Sequence, residues 1–250
     1  MAQQTYSYMG KGKIYLRSTS GGGAMPIGNC SALTLSVETN SVTQPNYQVA
    51  GGGVANEIQR ISTVSLAMTM LEFRPKNLQI ALRGTIAAVT AGTVTDERHE
   101  AYADGLVAFD HVPDKGETIT VTHDPDGTPV ALTLGTDYQV TGAGIVMLDS
   151  GNYVDGDQIG VDYTKVAGNA IEAMTGSGDE YELIFDGLNE AETDKAVIIR
   201  VHRVKWSPTS GLGFIGEDFG ELPLEGSVLV DSTKVGAGIS QYFKVTFADE

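Results

Sequence analysis

The residues best equipped for chemistry in this sequence are four histidines, His99, His111, His123 and His202, and a single cysteine, Cys30. A metal site needs imidazole or thiolate ligands at short, characteristic intervals. His99, His111 and His123 follow one another at intervals of twelve, which match no such pattern, and they read as exposed strand or turn residues. His202 stands between Arg200 and Arg203. Neighbouring cations oppose protonation of an imidazole, so Arg200 and His202 are expected at a contact surface rather than in catalysis. Cys30 has no histidine near it in sequence and opens an apolar alternating run, the signature of a buried structural thiol. A lone cysteine permits no intramolecular disulfide, which fits a reducing compartment or a particle assembled in one.

The remaining candidates are turns. His123-Asp124-Pro125-Asp126-Gly127 and the run Asp149 to Asp157 could offer oxygen ligands to calcium, but neither has the spacing of a calcium-binding loop. Asp-Gly pairs are also ordinary turn chemistry. Gly211-Leu212-Gly213 follows Pro208 without the third glycine of a dinucleotide site. No nucleophile elbow or phosphate loop is present, and nothing singles out a carboxylate pair for glycoside chemistry. The sequence therefore points to a non-enzyme, with no catalytic residues, no metal and no cofactor.

The chain carries 32 acidic and 16 basic residues, a net charge of −16. Such a surface repels phosphates and argues against tight nucleic-acid binding. No stretch approaches 18 consecutive apolar residues, and Met1–Gly12 lacks an apolar core, so neither a membrane span nor a signal peptide is expected. The 31 glycines beside 41% hydrophobic residues suit many short strands joined by tight turns.

Alternation of period two marks those strands. Leu33, Leu35 and Val37 alternate with Thr34, Ser36 and Glu38. Val64, Leu66, Met68 and Met70 alternate with Ser65, Ala67 and Thr69. Val197, Ile199 and Val201 share one face, and Ile198, Arg200 and His202 the other. Phe243, Val245 and Phe247 form a last strand. One helix is expected after Arg74-Pro75, with Leu78, Ala81 and Leu82 as its apolar stripe and Gly84 as its C-terminal cap. Asn40 to Asn56, with Pro45, Tyr47 and Gly51-Gly52-Gly53, shows no strong periodicity and reads as a long loop held for contact with another chain.

Between Asp96 and Lys165 the composition changes. This segment holds 14 acidic and 3 basic residues, a net of −11 that leaves only −5 for the rest. Short apolar pairs alternate with turn signals, as in a small hairpin-built sandwich. The expected organisation is one β domain over 1–95 and 166–250, interrupted by an acidic β domain over 96–165. Insertion into a surface loop is tolerated because closure entropy grows slowly with length.

Two stretches carry a family pattern. One is LAMTMLEFRPKNLQIALRG, Leu66 to Gly84, a strand followed by a short helix. The other runs FDGLNEAETDKAVIIRVHRVKWSPTSGLGFIGEDFGELPLEGSVLVD, from Phe185 to Asp231. Together they resemble the tail tube proteins of long-tailed bacteriophages, a family similar in fold to contractile-tail tubes and the tube of type VI secretion. The resemblance spans about 170 residues outside the inserted segment, which is similar to small immunoglobulin-like decorations. It implies a mainly β sandwich or barrel with one flanking helix, assembled into stacked hexameric rings around a DNA channel. It also implies the partners of such a tube: further copies of the chain, a tape-measure protein, tail terminator and distal tail proteins, and double-stranded DNA in passage. The site would be the virion tail, assembled in the host cytoplasm. Ser65, Ala67 and Thr69, small and uncharged, are the candidate lumen face. Pro45, Tyr47, Gly51, Gly52, Gly53, Arg200, His202, Pro208 and Phe214, with the termini and then the Ser207–Phe219 loop, are candidate contacts between subunits or rings. Rival readings are a monomeric β-rich adhesion module for glycan or protein, a secretion-tube subunit and a capsid decoration protein.

Overall fold

A computed structural model describes residues 7–248. The termini expected to make contacts lie partly outside the described residues, as does part of the Met1–Gly12 stretch. The protein is mainly β, as its alternation predicts. In chain order the elements are β1 (Gly10–Ser18), β2 (Met25–Pro26), β3 (Cys30–Pro45), β4 (Val54–Met70), α1 (Pro75–Leu82) and β5 (Thr85–Val89). There follow β6 (Gly92–Glu100), β7 (Leu106–Ala108), β8 (Thr120–His123), β9 (Val130–Leu132), β10 (Tyr138–Val140), β11 (Gly144–Met147) and β12 (Gln158–Lys165). The chain closes with β13 (Gly168–Glu172), β14 (Glu180–Asn189), β15 (Lys195–Trp206), β16 (Leu222–Val228) and β17 (Phe243–Phe247).

These elements form two compact units, one of Met1–Ile86 with Ile171–Glu250 and one of Ala87–Ala170. The second is wider at both ends than the 96–165 segment expected from charge. Its flanks, including Ala87, Ala88 and the start of β6, are uncharged, so a charge count passes over them.

In the first unit one sheet runs β2-β1-β14-β15-β16-β4-β3. Strand β15 is shared: Val204–Trp206 pairs with β16, while Val197–Val201 pairs with β17. The alternating apolar residues all turn to one side. Leu16 of β1, Leu183 of β14, Leu224 of β16 and Met68 of β4 belong to a single buried cluster. Residues from both ends of the sheet therefore meet, so the sheet closes over its own core as a sandwich. Trp206 and Met70 are buried at its centre.

Helix α1 packs on this core, but not with the stripe expected. Asn77, Ile80 and Ala81 are its buried residues, and Leu78 is only partly buried. A buried asparagine needs partners, and the Asn77 side-chain amide donates to the carbonyls of Ile27 (2.8 Å) and Glu72 (2.9 Å). The cap also differs. Arg83, not Gly84, takes the left-handed conformation, at φ 46°. Its guanidinium donates twice to the Trp206 carbonyl, at 2.7 and 3.0 Å, which holds a side chain where glycine is usual. Gly84 is needed for another reason: a Cβ there would stand 2.5 Å from the Glu172 carbonyl oxygen.

The second unit has a four-stranded sheet, β6-β12-β8-β9, and a three-stranded one, β10-β11-β7. Val121, Ile159 and Val161 of the first share a core with Val107, Ile145 and Met147 of the second. This is a small sandwich, built from the hairpin-forming apolar pairs. Inside it Tyr163 stacks on Phe109 at 4.5 Å and donates to Glu97 at 2.6 Å. Burial works against the Glu97 charge, but donation from Tyr163, the Asp110 N–H and His99 prevails and holds the carboxyl below its ordinary range.

Candidate assembly surface

The segment expected to be a loop is the most extended structure in the protein. Strands β3 and β4 pair from Cys30 opposite Met70 out to Pro45 opposite Val54, with shifts of register between Cys30 and Ala32, Glu38 and Thr39, and Gln44 and Pro45. Pro45 ends β3, and Tyr47 projects from the turn with 89% of its surface exposed. Gly51, Gly52 and Gly53 all have positive φ, at 103°, 70° and 117°, conformations that glycine adopts without a Cβ penalty. The loop reading fails for a physical reason. Period two reports one buried face, and every residue from Glu38 to Pro45 and from Val54 to Thr63 is exposed. With neither face on the core, selection for alternation is absent. The eight residues from Glu38 project by about 26 Å at the usual rise of a strand.

A free two-stranded ribbon is marginal in water, and this one exposes apolar side chains. Val42 and Ile58 face each other across it, 64% and 53% exposed, with Ile61 and Val54 nearby. Strand β3 also ends the sheet order, so its outer backbone edge is unpaired along 16 residues. Soluble proteins usually blunt such edges with lysine, bulges or short strands. Here Glu38 is the one charge on the strand, Pro45 comes only at its end, and the shifts of register at Cys30/Ala32, Glu38/Thr39 and Gln44/Pro45 are its irregularities.

The sandwich has two outward faces of different chemistry. On β3, β4 and β16 the outward residues form cross-strand rows: Ser36, Ser65 and Ser227; Thr34, Ala67 and Glu225; Ala32, Thr69 and Pro223. Ser65, Ala67 and Thr69 thus lie opposite the buried Val64, Leu66, Met68 and Met70, on a face of small residues with one carboxylate and no cation. The other layer is basic. Its rows are Lys13, Asp186, Ile198 and Thr246, then Tyr15, Ile184, Arg200 and Lys244. Arg200 and His202 belong to this second face, away from the small-residue one.

There Glu182 accepts an ion pair from Arg17 and a longer one, 3.5 Å, from Arg200. A bulge in β15 opposite Glu182 brings His202 and Arg203 out together. Arg203 grips Glu180 with two hydrogen bonds of 2.6 and 3.1 Å, and this donation holds the Glu180 carboxyl below its ordinary range. His202 hangs its N–H on the Tyr242 carbonyl at 3.0 Å, while its ring Nδ1 is buried without a partner. Arg17, Glu182, His202 and Arg203 border a polar cleft of about 550 Å³ with Asp231 and Lys234. Its lining brings together cations, carboxylates and the hydroxyls of Ser18, Thr19, Ser232 and Thr233. Cys30 is only half-buried, not fully buried as its sequence context suggests. Burial, with the Glu72 carboxylate second, pushes its thiol up to about 11. Among the described residues no three histidine, cysteine or acidic side chains are grouped to hold a metal, and no helix is long and apolar enough to cross a membrane. His123 instead pairs with Asp157 at 2.9 Å, and His99 with Glu97 at 2.8 Å.

The β15–β16 connection is the second projecting element. Pro208 at its start is half-buried, and Thr209 donates its N–H to the Ala81 carbonyl at 2.8 Å. Beyond it, Phe214, Ile215 and Phe219 are 81%, 101% and 97% exposed. The Ser207–Phe219 segment expected as a contact holds all three, although the sequence singled out only Pro208 and Phe214 in it. Val42 lies inside the Asn40–Asn56 segment, and Ile58 and Ile61 lie beyond it.

Residues 7–246 match the family described as protein of unknown function UCP028589. The chain belongs to that family. No curated protein matches it.

Proposed function

We propose that this family member is a non-enzymatic structural subunit that polymerises with copies of itself, as a tail tube of stacked hexameric rings conducting DNA. The observation that carries the reading is the β3–β4 ribbon. It presents an unpaired edge and exposed valine and isoleucine on an arm that has no core of its own, and pairing with another copy would satisfy both. The ring number, the tape-measure protein and the terminator and distal partners come from the resemblance to tail tube proteins.

The two outward faces support a division of labour in such a tube. DNA carries one charge per roughly 1.7 Å of axis, so a wall of lysine and arginine would retain it. The face of Ser65, Ala67 and Thr69 has no cation, and we assign it to the channel. The basic face of Lys13, Arg200 and Lys244 we assign away from DNA, at contacts between protein surfaces. The test is sedimentation of the purified chain against concentration, beside a variant lacking Gly51–Gly53 and one in which Asn40–Arg60 is replaced by a two-residue turn. Assembly of the whole chain, impaired by the first change and abolished by the second, supports the proposal. Equal assembly of all three would remove the ribbon from it.

A further inference from the structure

The first unit carries an exposed apolar loop, Gly213–Glu221, and a cleft with an apolar floor. The loop presents Phe214, Ile215 and Phe219 to solvent almost completely, interleaved with Glu217, Asp218 and Glu221. It is thus an apolar knob carrying three negative charges. An unsupported cluster of this kind is a common mark of an interaction site.

The cleft lies between β1, β2 and α1 and encloses about 400 Å³. Its floor is apolar: Leu16, Ile27, Ile80 and Tyr181 are each under 7% exposed. Met25, 52% exposed, stands at its mouth. Glycines 21–23 form one wall, and a Cβ added at any of them would meet nothing within 4 Å, so that side stays open. Arg74 and Lys76 line the opposite side, against the single carboxylate of Asp179. Arg74 pairs with Glu72 at 2.5 Å and Lys76 donates to Gln79 at 2.8 Å. Glu72 and Asp179 balance the two rim cations in number, and Lys76, bonded only to the neutral Gln79, is the cation that can face the negative knob. In this chain the knob's side chains stay in solvent and do not enter the cleft.

We infer that the Gly213–Glu221 loop of one copy docks in the β1–β2–α1 cleft of the next, with Phe219 or Phe214 on the apolar floor and Glu217 against Lys76. A knob and a pocket at different places on one surface make a heterologous, head-to-tail contact, which closes as a ring or continues as a filament. The inference rests on the self-assembling reading above and names a contact that reading leaves open.

Two cysteine variants test it in the full chain, each in a Cys30→Ser background. Ile215→Cys and Met25→Cys are made separately, mixed under mild oxidation and run on a non-reducing gel. A covalent dimer that forms in the mixture, and far less in either variant alone, is the expected result. A chain carrying both cysteines should give a ladder. If that double variant instead closes on itself at monomer mass, the loop fills its own cleft and the inference is overturned. Rings or tubes in the microscope without the mixed cross-link would overturn the loop–cleft contact while leaving self-assembly standing. A chain monomeric at every concentration would remove both. In a second measurement, Phe219→Ser should weaken association by roughly 30-fold or more, the effect of losing a buried aromatic anchor. Lys76→Glu should weaken it up to about fivefold, as for an exposed ion pair, and Glu217→Lys should restore it. Lys76→Glu that leaves association unchanged, with no response to Glu217→Lys, contradicts the proposed polarity.

Discussion

Replacing Val42 and Ile58 together by serine separates assembly from folding. Both side chains lie on the projecting ribbon and already have more than half their surface in water, so in the isolated subunit each change should fall within about 0.5 kcal/mol of neutral. In an assembly that covers the ribbon the balance differs. Full burial of a valine or isoleucine contributes about 1.5–3 kcal/mol, and the fraction still exposed, 64% and 53%, leaves together about 2–3 kcal/mol to be gained at each contact. At 1.4 kcal/mol per tenfold, losing it should raise the concentration needed for assembly roughly 30- to 150-fold. Light scattering against concentration measures that shift, and thermal unfolding of dilute protein checks that the subunit is intact. Two results would refute the reasoning. One is assembly at the unchanged concentration. The other is a clear fall in melting temperature, which would place the pair in the subunit's own fold.

Gly12→Ala should destabilise the first unit by about 1–3 kcal/mol, because its Cβ would meet the Asp186 carbonyl oxygen at 2.4 Å and the Gly187 Cα at 2.5 Å; urea unfolding reads the loss, and a neutral result would mean β1 and β14 separate easily. Tyr163→Phe removes the donor to Glu97 but keeps the stacked ring, and should lower the stability of the second unit by about 1.5–3 kcal/mol, measured by the same unfolding. Acid should loosen this unit too. Glu97 and Asp137 are held below their ordinary values of 4.5 and 3.8 by hydrogen bonds that outweigh burial. Their stabilisation is complete above those values and fades as pH falls through the lowered ones. A melting temperature that holds steady well below pH 3.8, or falls already near neutrality, would speak against this assignment. Cys30, its thiol pushed up to about 11, should react with a thiol reagent at pH 8 roughly two-hundredfold more slowly than a free cysteine near 8.5; labelling at the free rate would show the site to be open.

Legibility in the sequence followed burial. Val64, Leu66, Met68 and Met70 alternate because one side of β4 faces the core, and the same holds for β15 and for the strands of the second unit. The helix announced itself through Pro75, although its buried face centred on Asn77 and Ile80, since an asparagine that satisfies two backbone carbonyls looks polar in any periodicity. The hairpin arm was illegible because nothing in the subunit buries it. With neither face buried, the pattern that reveals strands is missing there. The separation of a small, neutral face from a basic one depends on strand order. Ser65 beside Ser36 and Ser227, or Arg200 beside Lys244, are neighbours only through pairing of distant segments.

Negative-stain electron microscopy of the purified chain, over rising concentration, tests the central claim most directly. Rings or tubes with a central hole are the predicted result, disappearing in the Val42→Ser, Ile58→Ser variant at the same concentration. Compact single particles at the highest concentration reached would contradict the account.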